Sequence, residues 1–402
     1  MSRPPISPAE AEAQIRAHAA LLPATSLPLT ELVGATLRER IVAAIDQPPF
    51  DRVTMDGIGF AFAAYQQGRR EFRISGTQAA GAPPLTLQST EHCIEVMTGA
   101  MLPAGCDCVV PVEKISVADG VAQLASDAAP ESRGNIHERG TDSRRGEELL
   151  QPGTRLGPAE VAVVAANGQA HASVTRAPRI AVISTGDELV EPGKPLAQWQ
   201  IHRSNAYAVM AALQRRGFAQ PTLDHLPDDL GVLRERLAAH LQTHDALILS
   251  GGVSMGRFDY IPQVLQELGV RVVFHKVAQR PGKPLWFGVG AAGQTVYALP
   301  GNPVSTLVCL VRYVFAGLET SLGTVRRPPE SIVLATPFAV KPALAVFIPV
   351  QIGSEGGRRH ALLKPTRGSG DFTSLIGTDG FVELPPGPAT VAAGTAVALY
   401  SW

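Results

Sequence analysis

Cysteine is scarce in this sequence, with four among 402 residues. Cys106 and Cys108 are close together along the chain, whereas Cys93 and Cys309 are isolated. No second cysteine pair or histidine pair completes the spacing of a zinc site. A disulfide framework and a zinc centre are therefore not indicated, and we expect ordinary reduced cysteines in a cytoplasmic protein.

A surplus of charge is also missing, because 35 lysines and arginines face 36 aspartates and glutamates, for a net charge of -1. This balance excludes the broad basic surface of a nucleic-acid-binding protein, so any positive site must be local. The N-terminal residues are polar, and no apolar run approaches the roughly 18 residues of a transmembrane helix. We expect a soluble protein with no nucleic-acid partner and no membrane partner.

Glycine and proline are plentiful instead, with 39 and 33 residues and no regular period. This composition predicts many turns, and the length predicts roughly two to four domains. We predict a helical linker domain over residues 1–46 and 147–175, and an all-β module over residues 47–146. An α/β domain is predicted over residues 176–326, followed by a small C-terminal β-barrel over residues 327–402.

Helix signals are clearest in the linker domain. Ser7 and Pro8 form a cap and first-turn pair, which predicts a helix over residues 8–22. Residues 32–44 are predicted as a second helix or an extended run, and residues 158–167 as a helix. In the β-module, the runs EFRISG, CIEVMTG and DCVVPVEKI are typical of short strands.

From residue 176 to about 325, apolar strands alternate with helical segments. Strands are predicted near residues 179–183, 221–225, 246–249, 270–275, 285–288 and 296–299, and helices near residues 205–216, 230–241 and 304–318. This alternation indicates a mainly parallel, doubly wound sheet.

The most informative stretch is DALILSGGVSMGRFDY, residues 245–260. Its apolar run is typical of a buried parallel strand, and Gly251 and Gly252 then permit a tight turn before a helical segment. Loops at the carboxyl ends of such strands bind ligands, because free N–H groups and the helix dipole favour an anion. An anion site is therefore predicted here.

Several other strands of this region also end in polar residues. Those residues are Asp187, Glu188, Asp228, Asp229, Asp259, Gly301 and Asn302. Carboxylates beside glycine-rich anion loops require a hard cation between them, and Mg²⁺ bound by one or two carboxylates and phosphate oxygens fits. Lys276, Arg280 and Lys283 supply positive charge after the next strand and suit a phosphate or another oxyanion.

Two other motifs suggest competing functions. Gly252 to Gly256 fits the G-x-S-x-G nucleophile elbow of hydrolases, with Ser254 as nucleophile. The histidines that follow are His275, at a strand end, and His360, in another predicted domain, which disfavours a hydrolase. The run PGKP lacks the leading glycine and the Ser or Thr of a Walker loop, so an ATPase is not predicted.

Seven motifs together carry a family resemblance. They are PPFDRVTMDG, IEVMTGAMLPAGCDCVV, RGTDSRRGEELLQPGTRL, ISTGDEL, SGGVSMGRFDY, PGKP and LPGNPVS. In this order, over nearly the whole chain, they resemble the molybdopterin molybdenumtransferases, the MoeA proteins and the E domain of gephyrin. The resemblance implies insertion of molybdate into adenylylated molybdopterin, with Mg²⁺-dependent release of AMP. It also implies a homodimer whose site is completed by the partner's β-module.

The resemblance also implies roles for individual residues. The metal ligands would be Glu188, Asp228 and Asp259, and further catalytic groups would be Asp56, Thr98 and Asp142. The substrate would be bound by Asp187, Gly251, Gly252, Ser254, Lys276, Arg280, Lys283, Gly301, Asn302 and Ser374. Arg280 stands where the family often has lysine, which keeps the charge but changes the geometry.

Two other functions remain open at this stage. A molybdopterin adenylyltransferase has a similar sheet domain, but the long β-module and the C-terminal domain argue against it. A non-catalytic scaffold of the same fold is the second alternative, and the complete set of carboxylates argues against that. Further partners implied by the family are a molybdopterin adenylyltransferase and apo-molybdoenzymes.

Overall fold

The computed structural model describes residues 4–252 and 260–402, and the chain divides into two compact units. The large unit contains Met1–Arg38, Pro152–Gly157 and His171–Trp402. The small unit contains Glu39–Gln151 and Pro158–Ala170. The four cysteines are buried free thiols, and burial raises the pKa of Cys93, Cys106 and Cys108 to about 12.

The small unit is built around a six-stranded mixed sheet. Its strands, in spatial order, are Cys108–Pro111, Gly57–Phe60, His92–Val96, Glu71–Gln78, Val121–Leu124 and Ile115–Ala118. Phe60 and Phe72 stack in its core with ring centroids 4.4 Å apart. The predicted β-structure of this region is confirmed, with the short helix Phe62–Gln66 between two strands.

Outside this sheet, short pairings and one longer helix complete the small unit. Ile41–Val42 pairs with Glu148–Leu150, Arg52–Val53 pairs with Ile136–His137, Val112–Lys114 is a 3-10 turn, and Pro158–Ala166 is a helix. The helix agrees with its prediction.

Residues 32–44 contain no α-helix, so the extended alternative holds, and Gly34 turns the chain with φ +83°.

The first helix of the large unit is Pro8–His18, shorter than the predicted span to residue 22. The Ser7 hydroxyl accepts from the Glu10 N–H at 3.2 Å, and the Glu10 carboxylate accepts from the Ser7 N–H at 2.8 Å. This capping box sets the start as expected. The end comes earlier because the backbone of Ala19 is already extended, with φ -77° and ψ 106°. Ala24–Pro28 instead pairs as a strand with His171–Thr175, and Leu29–Glu31 is a 3-10 turn.

A six-stranded, mainly parallel sheet forms the centre of the large unit, as predicted. Its order is Thr222–Leu226, Ile180–Thr185, Ala246–Ser250, Thr295–Leu299, Trp286–Val289 and Arg271–His275. The first four strands are parallel, and Trp286–Val289 is antiparallel to both of its neighbours. Ser184 pairs in register with Ser250, and Ser250 with Leu299, so the carboxyl ends meet at one edge.

Helices cover both faces of this central sheet. They are Asn205–Arg215, Leu230–Thr243, Ile261–Glu267, Pro303–Cys309 and Phe315–Leu322. Alternate residues of each strand enter opposite cores: Ile248 lies in one hydrophobic cluster, and Leu247 and Leu249 lie in the other. Because both faces of the sheet are buried, the sequences of these strands are continuous apolar runs. Leu189–Val190 and Ile201–His202 form a small parallel pair.

The final core helix runs over Pro303–Leu322 and includes a π-helical segment at Leu310–Val314. Within the described ranges it is the one helix long and apolar enough to cross a membrane, with 20 residues and mean hydropathy 1.3. The expectation that no apolar run approaches this length is therefore wrong. Its apolarity has another cause, because 83% of the tested window is buried inside the protein.

Gly317 in this helix gives a testable packing prediction. A Cβ at Gly317 would overlap the hydroxyl of Tyr297, whose side chain is fully buried. Helix propensity alone favours Ala over Gly by about 1 kcal/mol, but forcing atoms into a packed core costs about 1–3 kcal/mol. We expect Gly317→Ala to reduce the free energy of unfolding by about 2 kcal/mol, measured by chemical denaturation.

The control is Gly231→Ala in the helix Leu230–Thr243. Gly231 is exposed, and the nearest contact of an added Cβ is the Asp229 side chain at 3.2 Å. This variant should stay within about 1 kcal/mol of wild type. Equal stability of the two variants would contradict the packing argument.

The C-terminal residues form the predicted barrel. Its five strands are Glu330–Leu334, Arg358–Leu363, Ala345–Glu355, Gly380–Leu384 and Ala396–Ser401, and the pairing of Gly380–Leu384 with both Ala345–Glu355 and Ala396–Ser401 closes the ring. Phe338–Val340 pairs with Ala389–Val391, and Phe372–Leu375 is a 3-10 turn. Gln279–Arg280 of the central domain adds a parallel pairing to Ala345 and Val346.

Candidate functional site at the carboxyl edge of the central sheet

The glycine turn after Ala246–Ser250 lies where the sequence predicted it. Gly251 and Gly252 have φ angles of +104° and +64°. A Cβ on Gly251 would be 2.6 Å from the carbonyl oxygen of Thr185, and one on Gly252 would be 2.8 Å from Ile261. Both the backbone conformation and the close packing therefore require glycine. The predicted Ser254 and Asp259, and most of the G-x-S-x-G motif, lie outside the described residues.

A polar cluster that the sequence analysis missed surrounds this turn. Asn205 donates its amide hydrogens to Ser250 Oγ at 2.8 Å and to the Gly301 carbonyl at 2.7 Å, joining two strand-end loops. In the part of the chain that the structure describes, Ser184 Oγ, Thr185 Oγ1 and Asn205 Oδ1 are buried without a hydrogen-bond partner. Unpaired buried oxygens are uncommon and mark places where a polar ligand or water binds. The signal available was the position of Asn205, at the start of the helix Asn205–Arg215.

The carboxylates at this edge have distinct structural roles. Asp187 Oδ1 accepts a hydrogen bond from the backbone N–H of Asp228 at 3.1 Å, which ties their two loops together. Asp229 instead caps the helix Leu230–Thr243, accepting from the Val232 N–H at 2.9 Å. Glu188 is exposed, and its carboxylate lies over Gly186. Asp187 is therefore tied to the Asp228 loop, Glu188 lies beside Gly186, and Asp229 serves the fold.

A metal ion would find only part of its predicted ligand set here. Across residues 4–252 and 260–402, no group of three or more His, Cys, Asp or Glu side chains is placed to hold a metal ion. Glu188 and Asp228 supply hard carboxylate oxygens, and Asp259 is not described. Mg²⁺ takes one or two protein carboxylates and completes its shell with water and phosphate oxygens, so a Mg²⁺ site at Glu188 and Asp228 stays a prediction.

The basic residues lie on the loop after Arg271–His275. Lys276 has a φ of +78°, a backbone conformation that is uncommon for residues other than glycine and is concentrated at functional sites. The Val277 N–H donates to the Lys283 carbonyl at 2.9 Å, which closes the loop. Arg280 and Lys283 are both exposed. The loop therefore presents cationic side chains to solvent from a closed backbone turn.

The barrel reaches the strand-end residues through Ser369, which the sequence analysis missed. Asn302 Nδ2 donates to Ser369 Oγ at 2.8 Å, and the Val304 N–H donates to the Ser369 carbonyl at 2.9 Å. The predicted Ser374 donates its hydroxyl to the Asp371 carbonyl within its own turn, at 2.7 Å. The described contacts thus join Gly301 and Asn302 to the edge and leave Ser374 in a local turn.

The small unit brings its own predicted residues together. Asp56 Oδ1 accepts from both the backbone N–H and the hydroxyl of Thr98, at 2.6 and 2.8 Å, and these bonds hold the pKa of Asp56 below its usual value. Asp142 Oδ1 lies 2.9 Å from His137 Nε2, and His137 Nδ1 lies 3.0 Å from Arg52 Nη2. The segment that leads to Asp56 therefore contacts the segment that carries Asp142, through Arg52 and His137.

Comparison with known proteins places these features in one family. Models for the MoeA N-terminal region (domain I and II), a probable molybdopterin-binding domain and the MoeA C-terminal region (domain IV) match residues 6–168, 181–320 and 331–402. A molybdopterin molybdenumtransferase from Synechocystis sp. is 39% identical, over 99% of this chain and 100% of that protein. One from Haemophilus influenzae is 32% identical, over 93% and 92%.

The solved structure of a MoeA protein of molybdopterin biosynthesis from Pyrococcus horikoshii superposes with a TM-score of 0.82 at 25% identity, over 99% of this chain and 100% of that chain. The fold and its strand-end loops thus define the class of proteins with a molybdopterin-binding α/β domain. With a full-length relative at 39% identity, the chain belongs to the molybdopterin molybdenumtransferase family.

Proposed function

We propose that this protein inserts molybdate into adenylylated molybdopterin and releases AMP, forming molybdenum cofactor. The observation that carries the proposal is the carboxyl edge of the central sheet, where a glycine turn, carboxylates and a cationic loop each follow a strand of that sheet. Membership of a family of transferases named for molybdenum transfer to molybdopterin supports it.

The residues of this edge suit the two proposed substrates, adenylylated molybdopterin and molybdate. Gly251 and Gly252 form a tight turn at the carboxyl end of a strand, a position that suits phosphate oxygens. Arg280 and Lys283 are exposed cations that suit a tetrahedral oxyanion such as molybdate. The pterin's own dithiolene is the ligand that receives molybdenum, so the protein contributes orientation and electrostatics.

Mg²⁺ is part of this proposal, with Glu188, Asp228 and Asp259 as its protein ligands. When bound, it would neutralise charge on the phosphoanhydride as AMP leaves. Asp187 would hold the Asp228 loop in place through the hydrogen bond to its backbone N–H. Asp56, Thr98 and Asp142 are proposed as further catalytic groups, supplied across a homodimer.

The deciding experiment is reconstitution with purified components. The protein is incubated with adenylylated molybdopterin, molybdate and Mg²⁺, and two products are measured: AMP, and cofactor able to activate an apo-molybdoenzyme. We expect both to form together, and both to be lost when the divalent metal is chelated. Absence of both products with folded, metal-loaded protein would refute the proposal.

The same assay separates the two alternatives. Turnover of ATP with free molybdopterin would identify a molybdopterin adenylyltransferase, and binding without either reaction would identify a scaffold.

We also propose a cytoplasmic location and hand-over partners, namely the adenylyltransferase that supplies the intermediate and the apo-molybdoenzymes that take the product.

A further inference from the structure

The loop that carries Arg280 and Lys283 rests on a buried polar network. Gln279, at its start, is 0% exposed, and its side-chain amide donates to the Pro281 carbonyl at 3.0 Å. The amide oxygen accepts from the hydroxyl of Tyr313, which is also 0% exposed. A thiol completes the network, since Cys309 Sγ lies 3.7 Å from the Gly282 carbonyl and 3.6 Å from Gln279 Nε2.

Packing leaves the loop backbone no space above this network. A Cβ on Gly282 would be 2.6 Å from Cys309 Sγ and 2.7 Å from Gln279 Nε2. Gly282 also has a φ of +90°, a conformation suited to glycine. The backbone between the two cations therefore lies directly on buried side chains.

Tyr313 reaches Gln279 from the interior of the core helix. It belongs to the π-helical segment Leu310–Val314, a widened turn of the kind often found at functional sites. Because Gln279 Oε1 accepts the Tyr313 hydrogen, the amide's Nε2 faces the Pro281 carbonyl. The hydroxyl of one buried tyrosine thus sets the orientation of the amide that holds the loop.

We propose that Gln279, Cys309 and Tyr313 are positioning residues that hold the backbone from Arg280 to Lys283 and so preorganise its two cations for a tetrahedral oxyanion. The inference rests on the proposed function, because molybdate is the oxyanion that the reaction consumes. None of the three touches the substrate, and their effect passes through the loop backbone. Preorganised cations bind an anion without the entropy cost of ordering the loop.

Tyr313→Phe removes one hydroxyl and leaves the buried Gln279 oxygen without its donor. We expect the KM for molybdate to rise about tenfold, with kcat at saturating molybdate within about twofold of wild type. Amide hydrogen exchange should become faster in residues 280–285 and stay unchanged in the central strands, where the sheet is undisturbed.

The matched control is Tyr297→Phe. Tyr297 is fully buried in the same hydrophobic cluster as Tyr313, and it takes no part in the hydrogen bonds described above among Gln279, Cys309, Tyr313 and the loop backbone. This variant should keep the wild-type KM for molybdate and the wild-type exchange of residues 280–285. If Tyr313 had a purely structural role, Tyr313→Phe would lower the melting temperature and leave the KM of the folded protein for molybdate unchanged.

Two outcomes overturn the proposal: unchanged exchange of residues 280–285 in Tyr313→Phe, or faster exchange without a change in the KM for molybdate. Loss of the proposed function is recognised separately, because wild-type protein would then release no AMP. Amide hydrogen exchange of residues 280–285 still tests the positioning role in that case. Unchanged exchange in Tyr313→Phe refutes that role, and faster exchange confined to the loop supports it.

Discussion

Replacing Asp228 with asparagine is expected to slow AMP release by at least about 100-fold, because one charged group that stabilises the transition state is worth about that much. The change keeps the shape of the side chain and the backbone N–H that donates to Asp187. The fold should therefore be retained, with a melting temperature close to that of wild type. The measurement is the single-turnover rate of AMP release at saturating substrate and Mg²⁺.

The adjacent residue provides the control. Asp229 caps the helix Leu230–Thr243, so Asp229→Ala should lower the free energy of unfolding by about 1 kcal/mol. The rate of AMP release per folded molecule should remain near wild type. Full activity in Asp228→Asn, or an equal loss of activity in Asp229→Ala, would contradict the assignment of the two carboxylates.

Arg312→Met is expected to lower the free energy of unfolding by about 3 kcal/mol or more, because it leaves two partly buried carboxylates without their central cation. The Arg312 side chain is 5% exposed and donates to Glu12 of the first helix at 2.6 Å and to Glu383 of the barrel at 2.9 Å. Its guanidinium also lies 4.9 Å from the ring centroid of Tyr400. Chemical denaturation of the purified variant gives the measurement.

Arg326 is a matched control because it contacts the same carboxylate. Its side chain is 65% exposed and lies 3.3 Å from Glu12 Oε1. Exposed ion pairs contribute about 0–1 kcal/mol, so Arg326→Met should be nearly neutral. Similar stabilities for the two variants would show that the buried arginine does not organise these three elements.

The stability difference should also depend on pH. Burial alone would raise the pKa of Glu12, but hydrogen bonds from Arg16 and Arg312 outweigh it and lower that pKa below its ordinary value. A lowered pKa contributes stability above the unfolded value of about 4.3, and this contribution is lost as pH falls through the folded value. The gap between wild type and Arg312→Met should therefore narrow below about pH 4.

Prediction from the sequence succeeded where the signal is local. The apolar strand at Ala246–Ser250 and the two glycines that follow it could be predicted, because a strand buried on both faces needs continuous apolar residues and a tight turn needs glycine. The errors concerned the residue at which the first helix ends and the presence of one long apolar helix. The first helix stops at His18, and the apolar Pro303–Leu322 is a core helix. The four predicted domain boundaries stay predictions.

The sequence by itself determined the fold class and the family, and it predicted the edge of the sheet that carries the site, because hydrophobic periodicity and motif order are properties of the chain alone. Only the tertiary structure separated Asp228 from Asp229, brought Asn205 and Ser369 to the strand ends, and placed Tyr313 beneath the cationic loop. Those roles depend on contacts between residues distant in sequence, and such contacts exist only once the elements have packed.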